Sequence, residues 1–531
     1  MAIDLEEDTT ATTTTDVSAA RDYDAIVIGS GIGGLTTASI LAQLGKKRVL
    51  VVERHFKLGG FTHSFRRGDY EWDAGVHYVG GMQPGMLTRQ LMDLVTRGGV
   101  QWHKMNSPFE RFMFPGESFD VRDDVRLFRE DLIWRFPREA RNIRRYFRDL
   151  KNAQHWTARW FISKLFGRLG ADVMQYFGSG LAGMTTGDYM DQRFDDPLLK
   201  AILTAQWPDF GVPPQESAFG FHATVSADFH DGGFFPVGGA KEIAKHASAA
   251  ITAHGGTCLV NCSVQEIRVT NGRASGIVAL HKGREVEFRA PLIISNAGAV
   301  NTFTRMVPDG CCEREREQAA RIKPGPSSLV LFLGLNDDPR KHGFTDTNYW
   351  LYSRLDHDTQ AKFRENDPER VDGAFLSFCS LRNPGQEPHT AQIVTLDDYQ
   401  LWQAHGDKAW RKRGADYELR KDAITDRLLS FVEARLPGVR KLIAYQELST
   451  PLTVKTFTDH PGGAIYGQAC NADRLFRDRW MIASSLPNLF LTGSDVGTPG
   501  VNGALVAGAM TAAKVLGWFG LPRVMTAAYS R

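Results

Sequence analysis

The sequence predicts an α/β protein in which an open parallel sheet is joined to a second domain of mixed α+β structure. Three stretches predict it. Residues 23–60 read as strand, glycine turn, helix and second strand, the repeating unit of a wound parallel sheet. Residues 292–298 hold another short apolar run that ends in Asn296-Ala297-Gly298 and returns the chain to that sheet. Residues 486–508 supply a last strand, a glycine-rich turn and an alanine-rich helix. Because these pieces lie far apart, the sheet domain is expected to be discontinuous, formed by 22–85, 236–300 and 484–531. Residues 86–235 and 301–483 are left for the second domain and its lid.

In the opening unit the apolar run ends at Ile28, and the chain turns at Gly29, Gly31 and Gly34. Glycines at this spacing let the backbone turn tightly, approach a pyrophosphate without a Cβ in the way, and pack the helix close to the strand. The helix N-terminus then presents free N–H groups and a positive dipole end. The second strand, 48–52, ends at Glu53, nineteen residues beyond Gly34, where an acid accepts hydrogen bonds from ribose hydroxyls. That acid would repel a ribose phosphate, so FAD or NAD fits better than NADP. Gly59 and Gly60, just past the acid, favour the longer, extended FAD. Ser30, Gly33, Arg54 and Thr62 border these positions and complete the expected cofactor-binding set at this end.

Residues 61–81, FTHSFRRGDYEWDAGVHYVGG, alternate in short segments that predict a hairpin leading back to the cofactor. Among its polar members, His77 is a candidate for shuttling protons or hydrogen-bonding the cofactor, with a satisfied structural histidine as the plainer reading. From 86 to 228 strand signals fade, and the chain reads as helical and aromatic. The stretch 141–168, which begins with Arg141 and ends with Arg168, holds eight basic residues against one acid, Asp149. Phe147, Trp156, Trp160, Phe161, Leu165 and Phe166 are interleaved with them. Such a pattern suits an interfacial membrane helix, or else a cap helix with a solvated basic face. Residues 178–183 repeat the GxGxxG spacing, yet no second buried strand ending in an acid follows, so a loop is expected and no separate nicotinamide domain.

A helix over 241–253 precedes strands near 257–261, 264–270 and 274–280, with Asn271-Gly272 as a hairpin turn. Further strands are expected at 328–335, 374–381 and 391–395, and a helix at 415–435 whose apolar face carries Ile424, Leu428, Leu429, Val432 and Leu436. Tyr466, within a glycine-rich loop, is a second candidate to reach the cofactor, and a core tyrosine is the equal alternative. In the C-terminal block, Gly493 and Asp495 suit a ribityl or pyrophosphate-side contact. The helix starting near Val501 would aim its N–H groups at the electron-rich N1/O2 edge of a reduced flavin. That device has no use in an NAD enzyme.

Composition excludes other classes. The 63 basic and 61 acidic residues nearly cancel, and no nucleic-acid-reading motif is present. Six cysteines form no CxxC pair, so neither a metal site nor a disulfide framework is expected, and a reducing, cytoplasmic location is the default. Residues 1–21 are acidic and threonine-rich and read as a disordered tail. No run of eighteen apolar residues offers a membrane span.

The opening unit together with GVHYVGG, DFGVPPQESAFGFHA, GGFFPVGGAKEIA, ISNAG and LTGSDVGTPGVNGA resembles the phytoene desaturase-like flavoproteins, and within them the retinol saturase and carotenoid isomerase branch. The similarity is clear over 22–85, 205–305 and 450–520 and weak over 105–200 and 340–445. The resemblance implies non-covalent FAD, a glutathione-reductase-type Rossmann fold, a tunnel for a polyene or other unsaturated lipid, and peripheral contact with a membrane. It carries Gly29, Gly31, Gly34, Glu53, Gly60, Val264, Ala297, Asp495 and Val501 onto FAD contacts. It supplies no settled acid or base, so His77, His222 and Tyr466 stand as candidates from the residues alone. The expected activity is FAD-dependent saturation or desaturation of a carbon–carbon bond in a hydrophobic lipid. A non-redox cis–trans polyene isomerase, a flavin amine oxidase and a lipid-binding escort are the alternatives.

Overall fold

The structure, a computed structural model, describes residues 22–176, 178–362, 370–477 and 479–530. The expected tail, 1–21, lies outside the described residues. Five parallel strands form the first sheet, in the order Leu489–Leu491, Ile293–Ser295, Ala25–Ile28, Val49–Val52, Thr257–Leu259. Ala25–Ile28 and Val49–Val52 are buried at every position, as a sheet covered on both faces requires. Alternate residues serve alternate faces. Ala25, Val27, Val49 and Val51 pack with helices Ile32–Gln43, Lys241–Thr252 and Gly500–Val515. Ile26, Ile28, Leu50 and Val52 pack instead against an antiparallel meander, Cys262–Thr270, Arg273–His281 and Arg284–Arg289. Asn271 (φ 51°) and Gly272 (φ 70°) make its first turn, the hairpin expected from that dipeptide.

The second sheet has seven strands, in the order Ile443–Ser449, Ser327–Leu335, Thr390–Asp397, Gly373–Ser377, Asn348–Tyr352, Glu110–Phe114, Glu117–Val121. All pair antiparallel except Asn348–Tyr352 with Glu110–Phe114. Four of these strands go beyond the sequence expectation: Glu110–Phe114 and Glu117–Val121 lie within 86–228, which had read as helical, and Asn348–Tyr352 and Ile443–Ser449 lie outside the strands expected over 301–483. Glu110–Phe114 and Glu117–Val121 do alternate, around the turn at Pro115-Gly116, but they are short and lie among helices. The strand expected over 374–381 stops at Ser377, and Cys379–Arg382 is a 3-10 turn. Along Ser327–Leu335, Leu329, Leu331 and Leu333 pack on helix Ala415–Glu433 through Ile424, Leu428 and Val432, while Val330 and Phe332 face the other way.

The basic stretch forms helix Ala140–Ser163, which packs on helix Phe219–Asp228. Ile143, Tyr146, Leu150, Ala153, Thr157 and Trp160, three or four residues apart, are buried, while Arg144, Arg148, Lys151 and Arg159 are exposed. Of the two readings of this stretch, the packing of these residues matches a cap helix with a solvated basic face, while Ile162 and Phe166 at its C-terminal end stay exposed. Lys164 is buried outright, its Nζ donating to Val496 O at 2.6 Å and lying 3.7 Å from the Trp160 ring centroid. Among the described residues no helix is long and apolar enough to cross a membrane. Residues 180–183 form a 3-10 turn with no adjoining strand.

Candidate active site

One cavity of about 1620 Å³ runs from the glycine turn to the seven-stranded sheet. That exceeds the several hundred Å³ of a usual single-ligand site, so there is room for a cofactor and a substrate side by side.

At the first end glycine main chain forms part of the wall. Gly29, Gly31 and Gly33 line it, and Gly31 begins helix Ile32–Gln43 without a side-chain cap, so the first N–H groups of that helix stay available. Gly34 sits one layer back, where a Cβ would come 2.1 Å from Gly29 O. A Cβ on Gly33 would meet Gly493 Cα at 2.6 Å, so this contact joins the N-terminal unit to the C-terminal block. Glu53, at the end of its strand, accepts from Ser30 N (2.9 Å) and Ser30 Oγ (2.7 Å) at Oε2 and from His55 N (2.8 Å) at Oε1. A carboxylate offers about four acceptor positions, so one is left for a ribose hydroxyl. Gly59, Gly60, Thr62, Val264 and Ala297 also line this end. Arg54 lines it too, but its guanidinium donates to Thr456 O at 3.2 Å. Ser30 and Gly493 do not line it, and act through Glu53 and Gly33.

Toward the middle, Asp495 lines the cavity and accepts from Ala299 N at 2.8 Å and Gln468 N at 3.4 Å. Helix Gly500–Val515 also starts without a side-chain cap, and Val501 and Asn502 of its first turn face the cavity. Asn502 Nδ2 donates to Gly80 O and Asp228 Oδ2, both at 3.0 Å, while its Oδ1 is buried without a partner in the protein. Two uncapped helix ends on one cavity can stabilise two separate negative groups, which fits a pyrophosphate at one and an anionic ring edge at the other.

The far wall is side chain. Val330, Val394, Phe375 and Trp350 are neighbours in one row across four strands, and all four line the cavity.

The three expected acid–base candidates part company here. His77 lines the cavity with its Nδ1 4.0 Å from Cys379 Sγ, and burial together with the Arg382 charge pushes its pKa down to about 3. It is a neutral imidazole. His222 is not brought to the cavity, since its Nε2 pairs with Tyr146 Oη at 2.8 Å between the two packed helices, and burial lowers its pKa to about 3. Tyr466 lines the cavity, and burial, with Asp209 beside it, holds its phenol protonated. Sequence reasoning missed Tyr78, Glu110 and Asp209, which cluster at this wall. One signal was legible: in Glu110–Phe114 the alternation that buries Phe112 and Phe114 places Glu110 on the same apolar side. Among the described residues no group of three or more His, Cys, Asp or Glu could hold a metal ion.

The chain matches the family described as flavin containing amine oxidoreductase over residues 32–516, and it belongs to that family. It is 31% identical over 528 residues to an all-trans-retinol 13,14-reductase of Macaca fascicularis, covering 93% of this chain and 85% of that protein. It is 27% identical over 477 residues to prolycopene isomerase 2, chloroplastic, of an Oncidium hybrid cultivar, covering 85% and 76%. The fold superposes on wild-type putrescine oxidase bound to putrescine with a TM-score of 0.63 at 14% identity, covering 94% of this chain and all of that one.

Proposed function

We propose that this flavoprotein-family member is an FAD-dependent oxidoreductase that adds or removes hydrogen across a carbon–carbon bond of a hydrophobic unsaturated lipid such as a retinoid, a carotenoid or an unsaturated fatty acyl chain. The observation that carries the reading is the single cavity with two unlike ends. Its glycine-lined end suits a dinucleotide, and its row of Val330, Val394, Phe375 and Trp350 suits an apolar chain lying against it. Gly29, Gly31 and Gly33 with the Ile32–Gln43 helix end would hold the pyrophosphate, Glu53 a ribose, Asp495 the ribityl side, and the Val501 helix end the ring. Bound FAD supplies hydride transfer. The chain's own residues orient the double bond, exclude water and hold the proton. The retinol reductase relative supports saturation as the reaction.

Non-redox cis–trans isomerisation is a second reading, favoured by the match to a prolycopene isomerase across 85% of the chain. Product mass separates the two. Anaerobically reduced protein would be incubated with all-trans-retinol and with a cis-carotenoid. A product heavier by two hydrogens supports the reductase, and an isomer of unchanged mass supports the second reading. Purified protein with no flavin absorbance and no product from either compound would defeat both.

A further inference from the structure

The cavity wall holds a linked pair of carboxyl groups with a proton between them. Tyr78 Oη lies 2.5 Å from Glu110 Oε1 and 3.0 Å from Asp209 Oδ2. A phenol has one hydrogen to donate, so it cannot serve two ionised carboxylates at once, and one of the two contacts must come from a carboxyl O–H. The remaining partners decide which. Glu110 also accepts from Trp350 Nε1 at Oε1 and Gln206 Nε2 at Oε2, both at 3.0 Å, and three donors suit an anion. Asp209 has no N–H donor among the described residues, so it carries the proton and donates to Tyr78. The electrostatics keep the same order: burial and the neighbouring Glu110 charge push Asp209 well above the usual carboxylate range, while burial, partly offset by the three donors, raises Glu110 to about 7.

Placement gives the pair a use. Asp209 and Tyr78 line the cavity, while Glu110 sits behind them. Gly80, two residues and so about 7 Å of chain from Tyr78, accepts from Asn502 in the first turn of the uncapped helix. The acid therefore lines the same cavity as the helix end that would hold the cofactor ring, linked to it through Tyr78 and Gly80. Phe229 stacks on the Tyr78 ring at 4.5 Å and fixes the phenol.

Resting on the reading that a carbon–carbon double bond is reduced here with reduced flavin as the hydride source, we propose that Asp209 is the catalytic acid, with Tyr78 and Glu110 as the residues that position it and keep it protonated. The π bond breaks and two C–H bonds form. One carbon receives the hydride, which carries both electrons and leaves the flavin oxidised. The other takes the proton from Asp209, whose carboxylate is reprotonated from water through the cavity.

The test has two arms. Infrared spectra of the purified flavin-loaded protein, taken near pH 8 where Asp228 (about 6) and Glu110 (about 7) are ionised, should show a protonated-carboxyl stretch. It should vanish in Asp209→Asn, persist in Asp228→Asn and move in frequency in Tyr78→Phe. In the second arm, anaerobically reduced protein is mixed with all-trans-retinol. Asp209→Asn should slow flavin reoxidation about 10²- to 10⁴-fold while flavin absorbance and retinol affinity stay unchanged. A band that survives in Asp209→Asn, or one that does not move in Tyr78→Phe, overturns the proposal. Wild-type reoxidation rates in Asp209→Asn overturn it too, yet leave the reductase reading standing. Wild-type protein that reduces neither retinol nor a cis-carotenoid defeats that reading and the catalytic role with it, even if the infrared band is present.

Discussion

At the glycine turn the cavity wall is main chain, whereas at the seven-stranded sheet it is side chain. A Cβ on Gly34 or Gly33 would strike backbone at 2.1 Å or 2.6 Å, so that end cannot be altered without moving a strand or the C-terminal block. Val330, Phe332, Trp350 and Phe375 project from strands whose opposite faces are packed separately, so the far end can be reshaped while the sheet stands. The grip on the cofactor and the choice of substrate are thus separable in this fold. Four expected outcomes press on that separation.

The largest effect is expected from Gly34→Ala. Overpacking against backbone that cannot move aside should cost more than about 3 kcal/mol and abolish flavin retention, read by thermal unfolding and by absorbance of the purified protein. Retention of flavin at wild-type stability would mean that the first end is not set by main-chain contact.

Next is a pH effect in the cap. The folded-state pKa of His222 is depressed to about 3 against an ordinary 6.5, so the unfolded chain takes up the proton first. Its contribution is present above pH 6.5 and is lost as pH falls toward 3 at about 1.4 kcal/mol per unit, or about 2 kcal/mol between pH 7 and pH 5. His222→Gln should flatten the acid limb of a stability–pH curve by that amount. Parallel limbs in variant and wild type would show that the imidazole is not held neutral.

Phe332→Ala should cost only about 1–2 kcal/mol, below the usual core value because one side of the ring already borders the cavity. Flavin content should be unchanged while the turnover of retinol relative to a longer carotenoid shifts. Loss of flavin from this variant would break the separation between the ends.

The smallest effect belongs to the exposed basic face. Replacing Arg144, Arg148 and Lys151 by Gln should leave stability within about 0.5 kcal/mol and liposome binding as before. A clear drop in binding would assign this face to a membrane surface.

Much of the first end was legible in the residues. Gly29, Gly31, Gly34 and Glu53 act through turn geometry and strand length, which depend on neighbours only a few positions away. Asn271-Gly272 marked its hairpin for the same reason. The far end was not legible. Glu110–Phe114 joins Asn348–Tyr352 across more than two hundred residues, and nothing local in either segment specifies that partner. The role of the basic stretch was not legible either, because interleaved aromatics suit a core or a surface alike: Phe219–Asp228 covers the side that carries Tyr146 and Trp160, and Phe166 stays exposed.

The sequence by itself therefore determined the α/β class, the glycine turn, the acid that ends its second strand and the helix that starts at Gly500, since each follows from local sterics and periodicity. Only the tertiary structure decided that Glu110 and Asp209 meet at one phenol. Their 99-residue separation in sequence carries no pattern, and their shared proton exists only because packing removes water from around both.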